Sequence, residues 1–329
     1  MSLEEEVPEG FELRSVSARD APAIAELINE VTQAELGLPW TTVEETRDEL
    51  TSPGRDRAPP EALLVDRDGS LSGYLQFWVP TSAPITEVDM LAFVPPSLWG
   101  RGLSAWLLRL GEERARAAVG PATPRGRIVL RVARFTDNEP AGRLFAALGH
   151  VYARTFWMMR IELDTTPAAP NVPGGIGIRT FEPGVDEGPL HAALVEAFAE
   201  HWGEPFPGFD QWRHEEIEGE GSGFDPSLWF LAVDRDEIVG AACCRASSPR
   251  SEDTAEVSDL AVREPWRRRG IGLALLRTAF GEFHRRGIPR AELGVDAENV
   301  SGATRLYERA GMHAAFSWEF WEKELRQGA

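Results

Sequence analysis

The stretch Glu256–Leu276 reads EVSDLAVREPWRRRGIGLALL and changes character twice. Glu256 to Val262 ends in the apolar run Leu260, Ala261, Val262, the pattern of a largely buried strand. Pro265 and its charged neighbours stop that strand. Arg267, Arg268 and Arg269 then lead into Gly270 and Gly272. Beyond them Leu273, Leu276, Phe280 and Phe283 recur at helical spacing. A strand, a basic loop and a helix start make a place for a polyanion. Free backbone N–H groups and the positive end of the dipole lie there, and glycine lets a phosphate approach the backbone.

A dinucleotide turn needs G-x-G-x-x-G directly after the strand, but here the third position is Leu275 and a polar loop intervenes. A Walker-type loop needs Gly-Lys-Ser or Gly-Lys-Thr, and neither occurs here. An exposed basic turn before an ordinary helix is the plain alternative, and the rest of the chain decides against it.

The chain has 329 residues, more than one domain usually holds, so two cores are expected. No apolar run approaches the roughly 20 residues that span a bilayer, and the acidic start MSLEEEVPEG lacks the features of a secretory signal. A cytoplasmic protein is expected, with no membrane partner. The net charge of -19 argues against nucleic acid and suits a cationic substrate. Lys323 is the sole lysine, so a run of arginines is less distinctive here than elsewhere. Cys243 and Cys244 are strand neighbours that point to opposite faces and are expected to stay reduced. The six histidines show no metal spacing, so no metal is expected.

The order of elements occurs twice. A short strand at Phe11–Val16, a helix opened by Asp20 and Pro22, a hairpin around DRDGS, a strand at Glu87–Phe93 and a helix from Leu103 are followed by a strand, a short helix ended by Gly149 and a long strand region to Leu163. Asp164–Gly175, DTTPAAPNVPGG, is the linker. The same order then returns from Ile176. Arg14 matches Arg179, Gly102 matches Gly270 and Gly149 matches Gly311, a repeat of about 165 residues and so of domain size. The expected organisation is a domain at 1–163, a linker at 164–175 and a domain at 176–329. The fold class is α+β: two tandem domains, each a mixed, mainly antiparallel sheet flanked by helices.

Arg267, Gly270 and Gly272 form an R-x-x-G-x-G loop after a strand, and Asn299, Ala303, Leu306 and Tyr307 follow in ENVSGATRLYERAGM. In this order and separation the two signatures resemble the GNAT superfamily of acyl-CoA-dependent N-acetyltransferases, over essentially the full length. Among tandem members the paired halves and AFAEHWG at Ala197–Gly203 are most similar to the mycothiol synthases and their actinobacterial relatives.

The resemblance implies acetyl-CoA as co-substrate and a small-molecule amine as acceptor, with acylation of antibiotics or protein termini as other members' chemistry. It implies a cofactor-binding run at Leu260, Ala261, Val262, Arg267, Arg268, Arg269, Gly270, Ile271, Gly272 and Leu273, with Asn299 beyond it. Transfer from a thioester needs a neutral amine, stabilisation of the carbonyl oxygen as it gains charge, and a proton for the leaving thiolate. By position Glu256 is the family's general base, the Leu260 N–H its oxyanion donor and Tyr307 its general acid. Asp259 is the second candidate base, which strand alternation places on the face opposite Glu256. His201 and Trp202 stand where the superfamily shapes its acceptor pocket.

The first half has lost part of this equipment. Its loop reads Trp99-Gly100-Arg101-Gly102-Leu103-Ser104, and Phe145 stands at the place of Tyr307. Glu87 and Asn138 remain at the places of Glu256 and Asn299. Catalysis is therefore expected in the second half only. A pair of halves that senses acyl-CoA or scaffolds a partner without chemistry is the alternative from another class.

Overall fold

The computed structural model describes residues 7–51, 61–78, 87–119, 127–199, 201–202, 206–219, 223–248, 250–298 and 302–326, without the side chains of 61–64. By contacts the chain divides into Met1–Thr155 with Ser317–Ala329, and Phe156–Phe316.

In the first unit the strands are β1 (Glu12–Ser15), β2 (Glu61–Arg67), β3 (Ser70–Trp78), β4 (Glu87–Phe93) and β5 (Ile128–Phe135), in that order. The pair β4–β5 is parallel and its neighbours are antiparallel. Helices α1 (Ala21–Leu36), α2 (Val43–Thr51), α3 (Leu103–Val119) and α4 (Glu139–Ala147) accompany them. Leu103, Leu107 and Leu110 of α3 are buried in one core with Val88 and Met90. Ile24, Leu27, Ile28 and Val31 of α1 are buried in another with Tyr74. Helical period against strand alternation produces this three-layer arrangement, with an apolar stripe on each helix and two covered sheet faces.

The second unit repeats the pattern with β7 (Ile176–Thr180), β8 (Phe230–Asp234), β9 (Glu237–Arg245), β10 (Thr254–Val262) and β11 (Arg290–Asp296). Its helices are α5 (Glu187–Phe198), α6 (Phe209–Arg213), α7 (Ile271–Arg285) and α8 (Ala303–Ala310), and a π-helical turn at His214–Glu218 continues α6. One face of the sheet buries Cys244, Val257 and Leu293 under α7. The other buries Cys243, Ala241 and Ala261 under α5 and Trp212. The two cysteines thus lie on opposite faces, both free and buried.

The closing strands are β6 (Val151–Glu162) and β12 (His313–Arg326). Phe156–Glu162 of β6 pairs antiparallel with β11, and Trp318–Arg326 of β12 pairs antiparallel with β5. The last strand of each sequence half therefore completes the sheet begun by the other half. The expected boundaries at 163 and 176 follow chain order, whereas the contact division falls inside these two strands. Residues 164–175 carry no helix or strand.

The repeat is legible in its ion pairs. Arg14 Nη2 stands 2.8 Å from Asp20 Oδ1, and Arg179 Nη1 stands 2.5 Å from Asp186 Oδ2. Asp20 does not cap α1 through its side chain; its carboxylate instead accepts from the Ser17 N–H at 2.8 Å. Among the described residues no helix is long and apolar enough to cross a membrane, and no three metal-ligating side chains converge.

Candidate active site

In the second unit β10 and β11 run parallel, but their ladder extends only from Thr254↔Arg290 to Glu256↔Glu292. Beyond it β10 continues to Val262 and β11 to Asp296 without pairing to each other. The strands open into a wedge whose apex lies at Glu256.

The β9–β10 ladder fixes what faces the wedge. The Arg263 N–H donates to the Val239 carbonyl at 2.9 Å. In an antiparallel pair, residues that exchange both bonds alternate with residues that exchange none. Counting back, Val262↔Gly240 and Leu260↔Ala242 are non-bonded positions. The N–H and C=O groups of Leu260 and Val262 therefore point away from β9, into the wedge. The Val262 carbonyl accepts from Arg267 Nε at 3.0 Å.

A β-bulge decides the carboxylates. Val257 pairs with Cys244 and Asp259 with Cys243, so β10 advances two residues while β9 advances one. Ser258 is the extra residue and is exposed. Bulges re-aim side chains next to active sites. Val257 lies in the α7 core and Ala261 in the α5 core, so Glu256 and Asp259 both face the α5 side. The alternation expected for Asp259 is thus overturned: the bulge brings it to the face of Glu256.

Glu256 Oε2 is buried and accepts no hydrogen bond, with Arg245 Nη1 at 3.6 Å. Burial pushes its pKa up, against the pull of Arg245 and Arg250 and with the push of Glu292 and Glu216. Burial likewise raises Asp259 to about 7, helped by Glu216 and Glu256 and opposed by Arg245. Arg245 Nη2 donates to Glu216 on the π-helical turn at 2.7 Å. Glu292, beside Glu256, is buried and held by Arg250 at 2.6 Å and Arg160 at 3.2 Å. Glu216, Arg245 and the bulge carry no sequence signature, since each acquires its meaning from a register or a turn that only the folded chain defines.

Tyr307 is buried on the α7 side, and burial pushes its phenol up to about 12. It stays protonated at neutral pH and so has a proton to donate. Glu256 and Tyr307 thus belong to opposite faces of the sheet, with the wedge between them.

The loop before α7 gives its arginines structural work. Arg267 Nη2 donates to the Ala197 carbonyl at 3.0 Å, and Arg269 Nη2 to that of Pro265 at 2.8 Å. Arg268 has φ +62° and Gly270 φ +90°. Left-handed residues within a turn gather successive N–H groups into an anion-binding concavity. A Cβ at Gly270 would meet nothing within 4 Å, while one at Gly272 would meet Leu306 Cδ2 at 3.2 Å. Gly270 thus serves the backbone and leaves the space beside it open, and Gly272 serves the packing of α7 on α8. Ile271 is buried and Leu273 partly buried on α7, Ala261 is buried under α5, and Asn299 lies outside the described residues.

His201 and Trp202 are placed at the open end of the wedge. Partial burial pulls the pKa of the His201 imidazole down; Asp296, at the end of β11, opposes the shift and Arg267 adds to it. Trp202 packs on Phe156 with ring centroids 5.9 Å apart. Neither is grouped with Glu256.

The first unit has the same frame and a different filling. Trp99 Nε1 donates to the Val94 carbonyl at 2.8 Å, the bond that Arg267 makes to Val262. Gly100 and Gly102 hold φ +74° and +87°, so the loop keeps its shape without the first arginine. The β3–β4 ladder, however, runs from Tyr74↔Phe93 to Trp78↔Asp89 without a bulge. Glu87 is paired with the buried Arg131, and Phe145 is buried.

A parting strand pair with backbone groups turned into the gap, a carboxylate on one face and a phenol on the other brings together the kinds of group that acyl transfer from a thioester requires. The acetyltransferase (GNAT) family profile matches residues 191–312. A mycothiol acetyltransferase of Thermobispora bispora is 33% identical over 76% of this chain and 78% of its own; one of Geodermatophilus obscurus is 29% identical over 90% and 92%. The structure of a GCN5-related N-acetyltransferase from Sphaerobacter thermophilus superposes with TM-score 0.81 at 35% identity, over 98% of both chains. A tandem GNAT protein from the clavulanic acid biosynthesis pathway shares the fold at TM-score 0.75 and 18% identity, over 97% of this chain and all of that one. The chain belongs to the GNAT acetyltransferase family and is an acyl-CoA-dependent N-acetyltransferase.

Proposed function

We propose that the second unit transfers an acetyl group from acetyl-CoA to the primary amine of a small molecule by direct attack, and that the first unit is not catalytic. The observation that carries this reading is the Glu256 carboxylate, with a buried oxygen that accepts no hydrogen bond at the apex of the wedge. An oxygen that accepts no hydrogen bond, with Arg245 no nearer than 3.6 Å, can take a proton, and burial raises its basicity.

The residues fit the co-substrate. The concavity at Arg268–Gly270 suits the pyrophosphate, and the strand edge at Leu260–Val262 suits an amide-bearing arm lying in the wedge. The bound acetyl thioester supplies the electrophilic carbonyl. Glu256 takes a proton from the ammonium so that the nitrogen lone pair becomes available. The Leu260 N–H points where the carbonyl oxygen gains charge, and a donor in such a position is worth roughly 3–4 kcal/mol. Tyr307 offers its proton to the departing sulfur from the other face.

The names of the curated relatives favour the un-acetylated precursor of mycothiol as acceptor. An amine panel containing that precursor, glucosamine and amino-acid amides, read by transfer of radiolabelled acetyl, tests both parts. Labelled product from at least one amine is expected. Binding of acetyl-CoA without transfer to any amine would return the chain to the sensor alternative, and transfer to the other amines but not the precursor would remove that acceptor.

A further inference from the structure

We propose that Asp259 is a second proton acceptor in the transfer, forming a carboxyl pair with Glu256 on the α5 face of β10. The proposal rests on the reading of the second unit as the catalytic one and adds a residue to it.

The bulge at Ser258 is the first support. Without the extra residue Asp259 would lie under α7, against the core around Val257 and Phe280; with it, Asp259 stands across from Cys243 and on the side of Glu256. Lack of a structural role is the second. Among the described residues the Asp259 carboxylate makes no hydrogen bond and no ion pair, although Arg245 lies on the same face. The Nη2 of that arginine is committed to Glu216 at 2.7 Å, and its Nη1 lies 3.6 Å from Glu256. A partly buried carboxyl that makes no hydrogen bond and no ion pair gives the fold nothing by pairing.

Proton balance supplies the third. Between ammonium and amide the acceptor nitrogen gives up two protons as its bond to the carbonyl carbon forms and the carbon–sulfur bond breaks. The departing sulfur takes a single proton to become a thiol, so the reaction releases one proton net. When Tyr307 protonates the sulfur, both protons leaving nitrogen pass to other bases. Glu256 takes one and Asp259 the other; one returns to the Tyr307 phenolate through water, and one passes to solvent. The groups facing Asp259 are Glu256 on β10, Arg245 and Cys243 on β9, and Glu216 on the π-helical turn. Burial, Glu216 and Glu256 together raise Asp259 to about 7 against the pull of Arg245, and burial raises Glu256 as well.

The test compares pH–rate profiles of the full chain with its fastest amine from the panel, for the wild type, Asp259→Asn, Asp259→Glu and Glu256→Gln. Asp259→Asn is expected to lower kcat at pH 7 by roughly tenfold or more, to move the rising limb of kcat to lower pH, and to leave the KM for acetyl-CoA within about twofold of wild type. Asp259→Glu is expected to recover part of both. Stabilisation of each variant by acetyl-CoA in thermal melts verifies that the site is folded; should Asp259→Asn fail that check, Asp259→Ser takes its place. A folded Asp259→Asn with wild-type kcat and an unmoved limb, beside an inactive Glu256→Gln, overturns the proposal alone. A fully active Glu256→Gln overturns the reading on which it rests.

Discussion

Arg131 and Gly294 occupy the same register position in the two units. Arg131 is two residues beyond the β5 partner of Glu87, and Gly294 two residues beyond the β11 partner of Glu256. In one unit a buried guanidinium engages Glu87, Asp89 and Glu322. In the other no side chain is present at this position, and Glu256 has Arg245 at 3.6 Å from the neighbouring strand instead. The two halves diverge here in chemistry more than in fold.

This contrast predicts opposite outcomes for one substitution made twice. Glu256→Gln removes the proton acceptor and is expected to lower turnover by roughly 10²-fold or more, the scale of general acid–base catalysis. Glu87→Gln is expected to leave turnover within about twofold and to destabilise the first unit, because Arg131 is left buried with a weakened counter-charge. Acetyl transfer and urea unfolding on both variants check the pair. Equal losses of activity would place chemistry in both units.

Tyr307→Phe tests the other face of the wedge. Phe145 shows that the fold accepts phenylalanine at the equivalent buried place, so packing should survive. Turnover is expected to fall by roughly 10²-fold, with the KM for acetyl-CoA little changed. A variant with wild-type kcat would remove Tyr307 from the mechanism.

The loop makes a conformational prediction. At Gly270 φ is +90° and a Cβ would touch nothing, so Gly270→Ala introduces backbone strain without a clash. About 1–2 kcal/mol is expected for an L-residue in the left-handed region, seen as a lower Tm. The KM for acetyl-CoA should rise at the same time, since the strained turn disperses its N–H groups. A lower Tm with an unchanged KM would mean that the loop does not cradle the coenzyme.

Much of this was legible in the chain because local chemistry fixes it. Gly270 and Gly272 announce a turn into a helix, the stripe Leu276, Phe280, Phe283 announces its buried face, and the offset from Arg14 to Arg179 announces the repeat. Exchange of the closing strands was not legible. The last segments of both halves, β6 and β12, have the length and composition of sheet-completing strands, and nothing local says which open edge each one meets. The face of Asp259 was misread for a related reason. Alternation holds along a regular strand, and one extra residue at Ser258 reverses it for everything that follows.

His150 gives a prediction for stability outside the site. It is buried, neither ring nitrogen has a hydrogen-bond partner among the described residues, and the pair Lys323–Glu112 lies beside it at 2.6 Å. Burial, with Lys323 adding to it, depresses its pKa to about 4, and Glu112 opposes the shift. The folded pKa is below the unfolded value near 6.5, so the native state favours the neutral ring. This contribution is complete above pH 6.5 and is lost as pH falls toward 4, where at full effect it amounts to about 3 kcal/mol. Met312 occupies the corresponding place in the second unit: its N–H donates to the Tyr307 carbonyl at 3.0 Å, as that of His150 does to Phe145. His150→Met therefore fits the local backbone and removes the titration. Urea unfolding between pH 4 and 7 should show the wild type losing stability relative to His150→Met as pH falls, with the two curves parallel above pH 6.5. Curves that stay parallel down to pH 4 would mean that the ring is solvated or already paired in the native state.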